Sequence, residues 1–302
     1  MKNISVVGSG TMGNGIAHLF AQYGYKVSLI DISETTLNKA IETIGSNLSR
    51  QVNKQLISEQ DKTSTLNNIQ TFTSLQKGVQ NADLVVEAAT ENREIKLSIF
   101  EELDKYSPKT CILASNTSSI SITLIASVTQ RPDKVIGMHF MNPVPIMKLV
   151  EVIKGKSTSP EVVAAIMELS AKMDKVPVEA NDFPGFVANR ILMPMINEAI
   201  EALQDGVAGV QEIDTVMKLG MSHPMGPLQL ADFIGLDVCL SILNVLHEGF
   251  KNPKYAPCPL LLEMVSQGKL GVKSGEGFYD YAESKKAEKV AKMFSKIKEI
   301  NG

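Results

Sequence analysis

The sequence predicts an α/β domain, a doubly wound and mostly parallel sheet, followed by a domain built from helices. Three observations carry this. Short apolar runs alternate with helical stretches over the first 180 or so residues. Several of those runs are continuously apolar rather than alternating, as strands buried on both faces require. Past the cluster Asn181-Asp182-Phe183-Pro184-Gly185 the strand-like runs stop and helical patterns take over.

The predicted strands are Ile4–Val7, Val27–Ile30, Ile69–Phe72, Leu84–Val86, Cys111–Ala114, Val135–Met138 and Lys148–Ile153. Helical segments between them form βαβ units, and such units wind a parallel sheet. One connection is oversized: almost forty residues separate Asp31 from the strand at Ile69, with turn signals around Ser58. A single crossover helix does not need that length, so a helical-hairpin insertion projecting from the sheet is predicted. The Asn/Asp/Pro/Gly cluster reads as a break followed by a helix start, placing the division between residues 1–184 and 185–302. Beyond it, Phe186–Leu203, Ile213–Leu219, Leu228–Leu246 and Pro259–Gln267 look helical, punctuated by prolines. The first of these sets Ile191, Met195 and Ala199 along one side with Leu192 and Ile196 beside them. So wide an apolar face suggests continuation into a second copy of the chain, and with the apolar Leu228–Leu246 segment it predicts a homodimer.

Composition narrows the function. The 302 residues are 44% hydrophobic and 21% charged, with a formal net charge of -3. That is the make-up of a globular protein, with no global field favouring nucleic acid or an anionic membrane. Cys111, Cys239 and Cys258 lie far apart without a CxxC pair. This argues against a structural metal site or a disulfide framework, and predicts a cytoplasmic setting. The apolar run at the N-terminus ends at Gly8, too short for a signal-peptide core, and no segment has the length of a membrane span.

Gly8-Ser9-Gly10-Thr11-Met12-Gly13 follows the first strand and opens a helix. A lone GxGxxG is weak, because glycines are common in turns. Here its setting is that of a Rossmann-type nucleotide site. The first glycine permits the tight turn, the second lets the backbone approach a pyrophosphate, and the third lets helix and strand pack. The helix N-terminus faces the anion. Asp31 comes eighteen residues after Gly13, at the end of the second strand. A carboxylate there accepts bonds from the adenosine ribose hydroxyls and repels a 2′-phosphate. NAD is therefore the expected cofactor. The alternative, a generic turn plus a helix-capping Asp, accounts for strand, spacing and acid only by coincidence.

The chain has four histidines. His18 lies inside the first helix, His223 in a Ser-His-Pro turn and His247 near a helix end, all with ordinary structural readings. His139 differs. It ends the strand Val135–Met138, and ligands of open α/β sheets bind outside the carboxyl ends of strands. The loop to Lys148–Ile153 is too short for a parallel crossover, so the two strands should be antiparallel. A turn centred on Pro145 sets His139 opposite Glu151. A directly opposed pair lies within hydrogen-bond reach. The carboxylate can then fix one imidazole tautomer and stabilise its protonated form, which suits removing a hydroxyl proton while hydride leaves the same carbon. The competing reading is an ordinary surface ion pair. Asn116-Thr117-Ser118-Ser119 ends another strand on the same rim, where a helix-capping role competes with binding a substrate oxygen.

Over nearly its whole length the sequence resembles the short-chain (S)-3-hydroxyacyl-CoA dehydrogenases. The matching segments are VGSGTMGNGIA, EAATEN, ASNTSSISIT, HFMNPVPIMKLVEVI, DFPGFVANRIL, MKLGMSHPMGPLQLADFIGLD and GKLGVKSGEGFYDY, in order. The resemblance implies an NAD-dependent enzyme acting on an acyl-CoA. It implies that His139 is the acid/base and Glu151 its partner, that Ser118 contacts substrate and nicotinamide, and that Asn189 completes the substrate site. It further implies cofactor contacts by Asp31, Glu91, Lys96 and Lys273. Phe140-Met141 stands where the family commonly has Phe-Phe. The helical insertion resembles the region that holds the coenzyme A nucleotide; Lys39, Arg50 and Lys54 there could meet phosphates or simply be solvated. Two other readings compete: a related hydroxyacid or sugar dehydrogenase that does not use coenzyme A, and a catalytically silent NAD-binding protein. The long insertion speaks against the first, the complete His139, Glu151, Ser118 and Asn189 set against the second.

Overall fold

In a computed structural model, which describes residues 1–299, eight strands form one sheet in the order β3-β2-β1-β4-β5-β6-β7-β8. The strands are β1 (Asn3–Val7), β2 (Lys26–Ile30), β3 (Ile69–Phe72), β4 (Leu84–Glu87), β5 (Ile112–Ser115), β6 (Val135–Phe140), β7 (Leu149–Lys154) and β8 (Val176–Asn181). All pairings are parallel except β6 with β7. The connections reverse direction between β1 and β4, and a ligand crevice forms outside the strand ends at such a switch point.

Helices α1 (Thr11–Gln22), α2 (Glu34–Asn53) and α7 (Pro160–Lys172) cover one face, where Phe20, Leu37, Ile44 and Ile166 pack with Val6, Leu29, Val86 and Met138. The short α4 (Leu75–Val79), α5 (Arg93–Tyr106) and the short α6 (Ile122–Ala126) cover the other, where Val79, Phe100, Leu103 and Ile125 meet Val7, Val85 and Leu113. The predicted insertion is α2 followed by α3 (Glu59–Asn67). Leu37, Ala40, Ile44 and Leu48 recur at three- and four-residue spacing on the buried side of α2, and Ser58 with Asp61 closes a capping box that starts α3.

The chain divides into two compact units, Met1–Phe186 and the residues from Val187 on. In the second unit, α8 (Ala188–Gln204), α9 (Val210–Thr215), α10 (Pro227–Ile234), α11 (Leu236–Phe250) and α12 (Pro259–Ser266) surround a core of Ile196, Ile200, Leu228, Leu243, Leu261 and Phe278. A two-residue antiparallel ladder, β9 (Tyr279–Asp280) with β10 (Lys289–Val290), adds to the helices.

Four elements differ from the sequence expectation, one of them the helix expected over Ile213–Leu219, which is α9 (Val210–Thr215) followed by a π-helical turn over Val216–Gly220. β8 was not among the predicted strands. It is an edge strand carrying Pro177, with Val176 and Val178 largely exposed, so its hydrophobic signal is weak. The continuous helix expected over Leu228–Leu246 is two helices bent by 97° at Gly235, whose φ is +102°. Only a glycine adopts that backbone without strain. On α8 the side packed into the unit is Met193, Ile196, Ile200 and Leu203, whereas Ile191 is 67% exposed. No single helix among the described residues is long and apolar enough to cross a membrane.

Candidate active site

The ends of β1, β2, β4, β5 and β6 carry the groups singled out above. Gly8 has φ +93°, and a Cβ there would lie 2.7 Å from the Ala88 carbonyl oxygen. A Cβ at Gly13 would lie 1.8 Å from the Gly8 carbonyl oxygen, so the helix can sit this close only on glycine. A Cβ at Gly10, by contrast, would meet nothing within 4 Å. The backbone is thus open on the side where α1 starts, with no side-chain cap on its first N–H groups. An anion fits there. Ser9 is buried; Thr11 and Met12 form the first turn of α1. Asp31 closes the loop from the side, accepting from the Ser9 backbone N–H and hydroxyl at 2.8 Å each and from the Ser33 N–H at 3.1 Å. These features fit a dinucleotide.

The antiparallel register pairs His139 with Glu151. Both are buried, and His139 Nδ1 lies 2.7 Å from Glu151 Oε2. That contact leaves Nε2 as the nitrogen available to exchange a proton. The ring also meets Phe186 at a centroid distance of 6.0 Å. Asn116 ties the end of β5 to the end of β6: its Oδ1 accepts from the Phe140 N–H at 2.9 Å. Position 140 is therefore fixed next to the histidine.

Ser118 sits in the turn after β5, where one oxygen of Glu91 gathers five donors. Glu91 Oε1 accepts from Thr117 Oγ1 at 2.6 Å, from the backbone N–H groups of Ser118 and Ser119 at 2.8 and 3.1 Å, and from their hydroxyls at 3.1 and 3.0 Å. Burial alone would raise the Glu91 carboxyl, but Lys96 and these donors outweigh it and hold the group below the usual carboxylate range. Lys96 is 1% exposed and lies between two acids, 2.8 Å from Glu87 and 3.4 Å from Glu91. Asn189 lies in the first turn of α8 and is buried; Lys273, also in the second unit, is exposed and pairs with Asp237. On the insertion, Lys39, Arg50 and Lys54 are all exposed. His18 is packed between α1 and α2, beside Gln51, and burial lowers its pKa to about 4. Among the described residues no cluster of three or more His, Cys, Asp or Glu could hold a metal ion.

Sequence reasoning passed over Glu87, Asn116's bond to Phe140 and Lys175. Glu87 left a signal, a lone carboxylate closing the apolar run Leu84-Val85-Val86 in a central strand. Lys175 left none, because its partners are backbone carbonyls.

Residues 3–183 match the 3-hydroxyacyl-CoA dehydrogenase NAD-binding domain, and residues 185–281 the C-terminal domain of the same family. A 3-hydroxybutyryl-CoA dehydrogenase of Bradyrhizobium diazoefficiens is 51% identical over 285 residues, covering 94% of this chain and 97% of its own. The human mitochondrial hydroxyacyl-coenzyme A dehydrogenase is 43% identical over 288 residues, 93% of this chain and 91% of its own. The crystal structure of (S)-3-hydroxybutyryl-CoA dehydrogenase from Ralstonia eutropha superposes with a TM-score of 0.90 at 48% identity, covering 93% of this chain and 99% of that one. The glycine loop, the strand-end His–Glu pair and these likenesses over both units lead to one statement: the chain belongs to the 3-hydroxyacyl-CoA dehydrogenase family.

Proposed function

We propose that this chain is an NAD-dependent dehydrogenase interconverting a short 3-hydroxyacyl-CoA and its 3-ketoacyl form, with 3-hydroxybutyryl-CoA and acetoacetyl-CoA as the natural pair. The observation that carries the proposal is the buried His139–Glu151 contact of 2.7 Å at the carboxyl end of β6. In the oxidative direction His139 Nε2 takes the proton of the 3-hydroxyl, and the Glu151 carboxylate stabilises the imidazolium that forms. A bound NAD would supply the hydride acceptor for the hydrogen on the same carbon, so that loss of proton and hydride together turns the C–OH into C=O. Ser118 contacts the substrate oxygen, and Asn189 is a further substrate contact. Gly8, Ser9, Gly10, Thr11, Met12 and Gly13 hold the pyrophosphate, Asp31 the adenosine ribose, and Glu91, Lys96 and Lys273 complete the cofactor contacts. The exposed Lys39, Arg50 and Lys54 on α2 and the turn after it offer cations to the coenzyme A phosphates.

We further propose a homodimer through the helical unit and a cytoplasmic location, with no nucleic-acid or membrane partner. The dimer is supported by Ile191, Phe233, Val238 and Leu262, which are exposed on four helices of that unit. The location is supported by three cysteines that are buried and unpaired. Light scattering at micromolar concentration should return twice the 32.8 kDa chain mass; the monomer mass would refute the dimer. The deciding assay follows NADH oxidation with acetoacetyl-CoA, with free acetoacetate and NADPH as controls. Turnover should require both the thioester and NADH. Equal rates with NADPH would remove the role given to Asp31, and no turnover with acetoacetyl-CoA would remove the function.

A further inference from the structure

Two routes, one through an ion pair and one through hydrogen bonds alone, lead from one buried carboxylate to the turn that holds Ser118. Glu87, at the end of β4, is fully buried. By the first route, Lys96 Nζ donates to its two oxygens at 2.8 and 2.9 Å and lies 3.4 Å from Glu91, whose Oε1 gathers the Thr117–Ser119 turn. By the second, the Ser115 hydroxyl donates to Glu87 Oε2 at 2.7 Å and accepts from the Thr117 backbone N–H at 3.2 Å. The Ala89 N–H donates to Glu87 Oε1 at 2.8 Å and fixes the start of the loop that carries Glu91. A buried, unpaired carboxylate is costly, and this one is met by an ammonium, a hydroxyl and a backbone N–H. It is also well placed to transmit order, because every group it binds leads within one or two bonds to the same turn.

We propose that Glu87 is a positioning residue for the reaction: through Lys96–Glu91 and through Ser115 it sets where Ser118 presents its hydroxyl. The proposal rests on the reading of Ser118 as a substrate contact. Without the Glu87 carboxylate, Lys96 keeps only the half-exposed Glu91 and the Ser115 hydroxyl loses its acceptor, so both supports of the turn are weakened. Glu87 itself, being enclosed, touches neither substrate nor cofactor.

The test is a mutant cycle on the full-length enzyme, with kcat and KM for acetoacetyl-CoA, NADH affinity by fluorescence, and the melting temperature read for each variant. Ser115→Ala removes one route with little change in volume. It should lower kcat roughly three- to tenfold, the worth of the neutral bond that the turn makes to Ser115 through the Thr117 N–H, with NADH affinity unchanged. Glu87→Gln, which keeps one acceptor oxygen but removes the second and the charge that holds Lys96, should cost more, roughly ten- to a hundredfold, as for a charge-assisted bond. The discriminating measurement is Ser115→Ala in a Ser118→Ala background. If Ser115 acts through Ser118, its substitution there should have no further effect on kcat, whereas a merely structural role would slow both backgrounds equally. Equal slowing, or a fully active Ser115→Ala, overturns the positioning role even if Glu87→Gln does not fold. A Ser118→Ala enzyme as fast as the wild type instead overturns the reading of Ser118 on which the proposal stands.

Discussion

At the scale of the residue, the proposed chemistry depends on a His–Glu contact that burial makes consequential. In water, two such groups are screened and gain little from one another. Here His139 and Glu151 are both buried, and their 2.7 Å contact fixes which nitrogen faces outward. His139→Gln should lower kcat by about 10²–10⁴-fold while NADH affinity holds, since a positioned acid/base is worth that much. Glu151→Gln keeps the shape but removes the charge that favours imidazolium, and should also be slow. The double variant should lose less than the product of the two single losses, because the pair acts as a unit. Steady-state kinetics with fluorescence titration of NADH reads all three, and full activity in His139→Gln would end the mechanism. The pair was legible in the sequence because a strand turn fixes which residues oppose one another. Glu87 and its two routes were not, since they join residues on β4, α5 and β5 that only the folded sheet brings together.

At the scale of the element, the segment between β6 and β7 shows how a loop next to the reacting groups is held. Its Val144 sits against α1 at Gly15, where an added Cβ would lie 3.0 Å from the valine. Lys175 pins it from beneath, donating to the carbonyls of Val144 at 2.6 Å and Met147 at 2.8 Å. Burial, and then the nearby Lys148, lowers the Lys175 pKa. Replacing a buried lysine with a hydrocarbon chain removes the cost of its desolvation, but it leaves two carbonyls facing methylene groups. Each unsatisfied carbonyl costs about 1–3 kcal/mol, and the pair decides the sign. Lys175→Met should therefore lower stability to urea and reduce kcat as the loop loosens; an unfolding midpoint at or above the wild-type value would contradict this. Apart from the segment around α9, strands and helices long enough to show a period were legible within a residue or two. The edge strand β8 and the bend at Gly235 were not: one is too exposed to leave an apolar signature, and the other sits between two apolar helices whose combined pattern reads as one.

At the scale of the molecule, the two units should answer pH in opposite directions. In the first, burial pushes His18 from 6.5 down to about 4. The neutral ring's contribution is complete above pH 6.5 and is lost as pH falls towards 4. In the second, Asp214 on α9 accepts from the N–H groups of Leu228 and Gln229 and from the Tyr279 hydroxyl, and Asp232 on α10 accepts from those of Phe278 and Tyr279 and from the Tyr281 hydroxyl. Burial, reinforced by the charge of Asp214, raises Asp232 to about 7 against the bonds it accepts. Its contribution is complete below pH 3.8 and is lost as pH rises to about 7. Shifts of this size correspond to roughly 3–4 kcal/mol each. Calorimetry between pH 4.5 and 7.5 should show the two contributions opposed: Asp232→Asn should flatten the loss of stability with rising pH, and His18→Gln the loss with falling pH. Parallel pH dependence in wild type and both variants would refute the assignment. The sequence by itself determined the alternation of layers, the glycine turn, Asp31 and the His139–Glu151 opposition, because each follows from periodicity or spacing along a few tens of residues. Only the tertiary structure decided the Glu87–Lys96–Glu91 array, the hold of Lys175 on its loop and the carboxylates of the helical unit. Those depend on which distant residues share a low-dielectric interior, and burial is a property of the fold rather than of any local pattern.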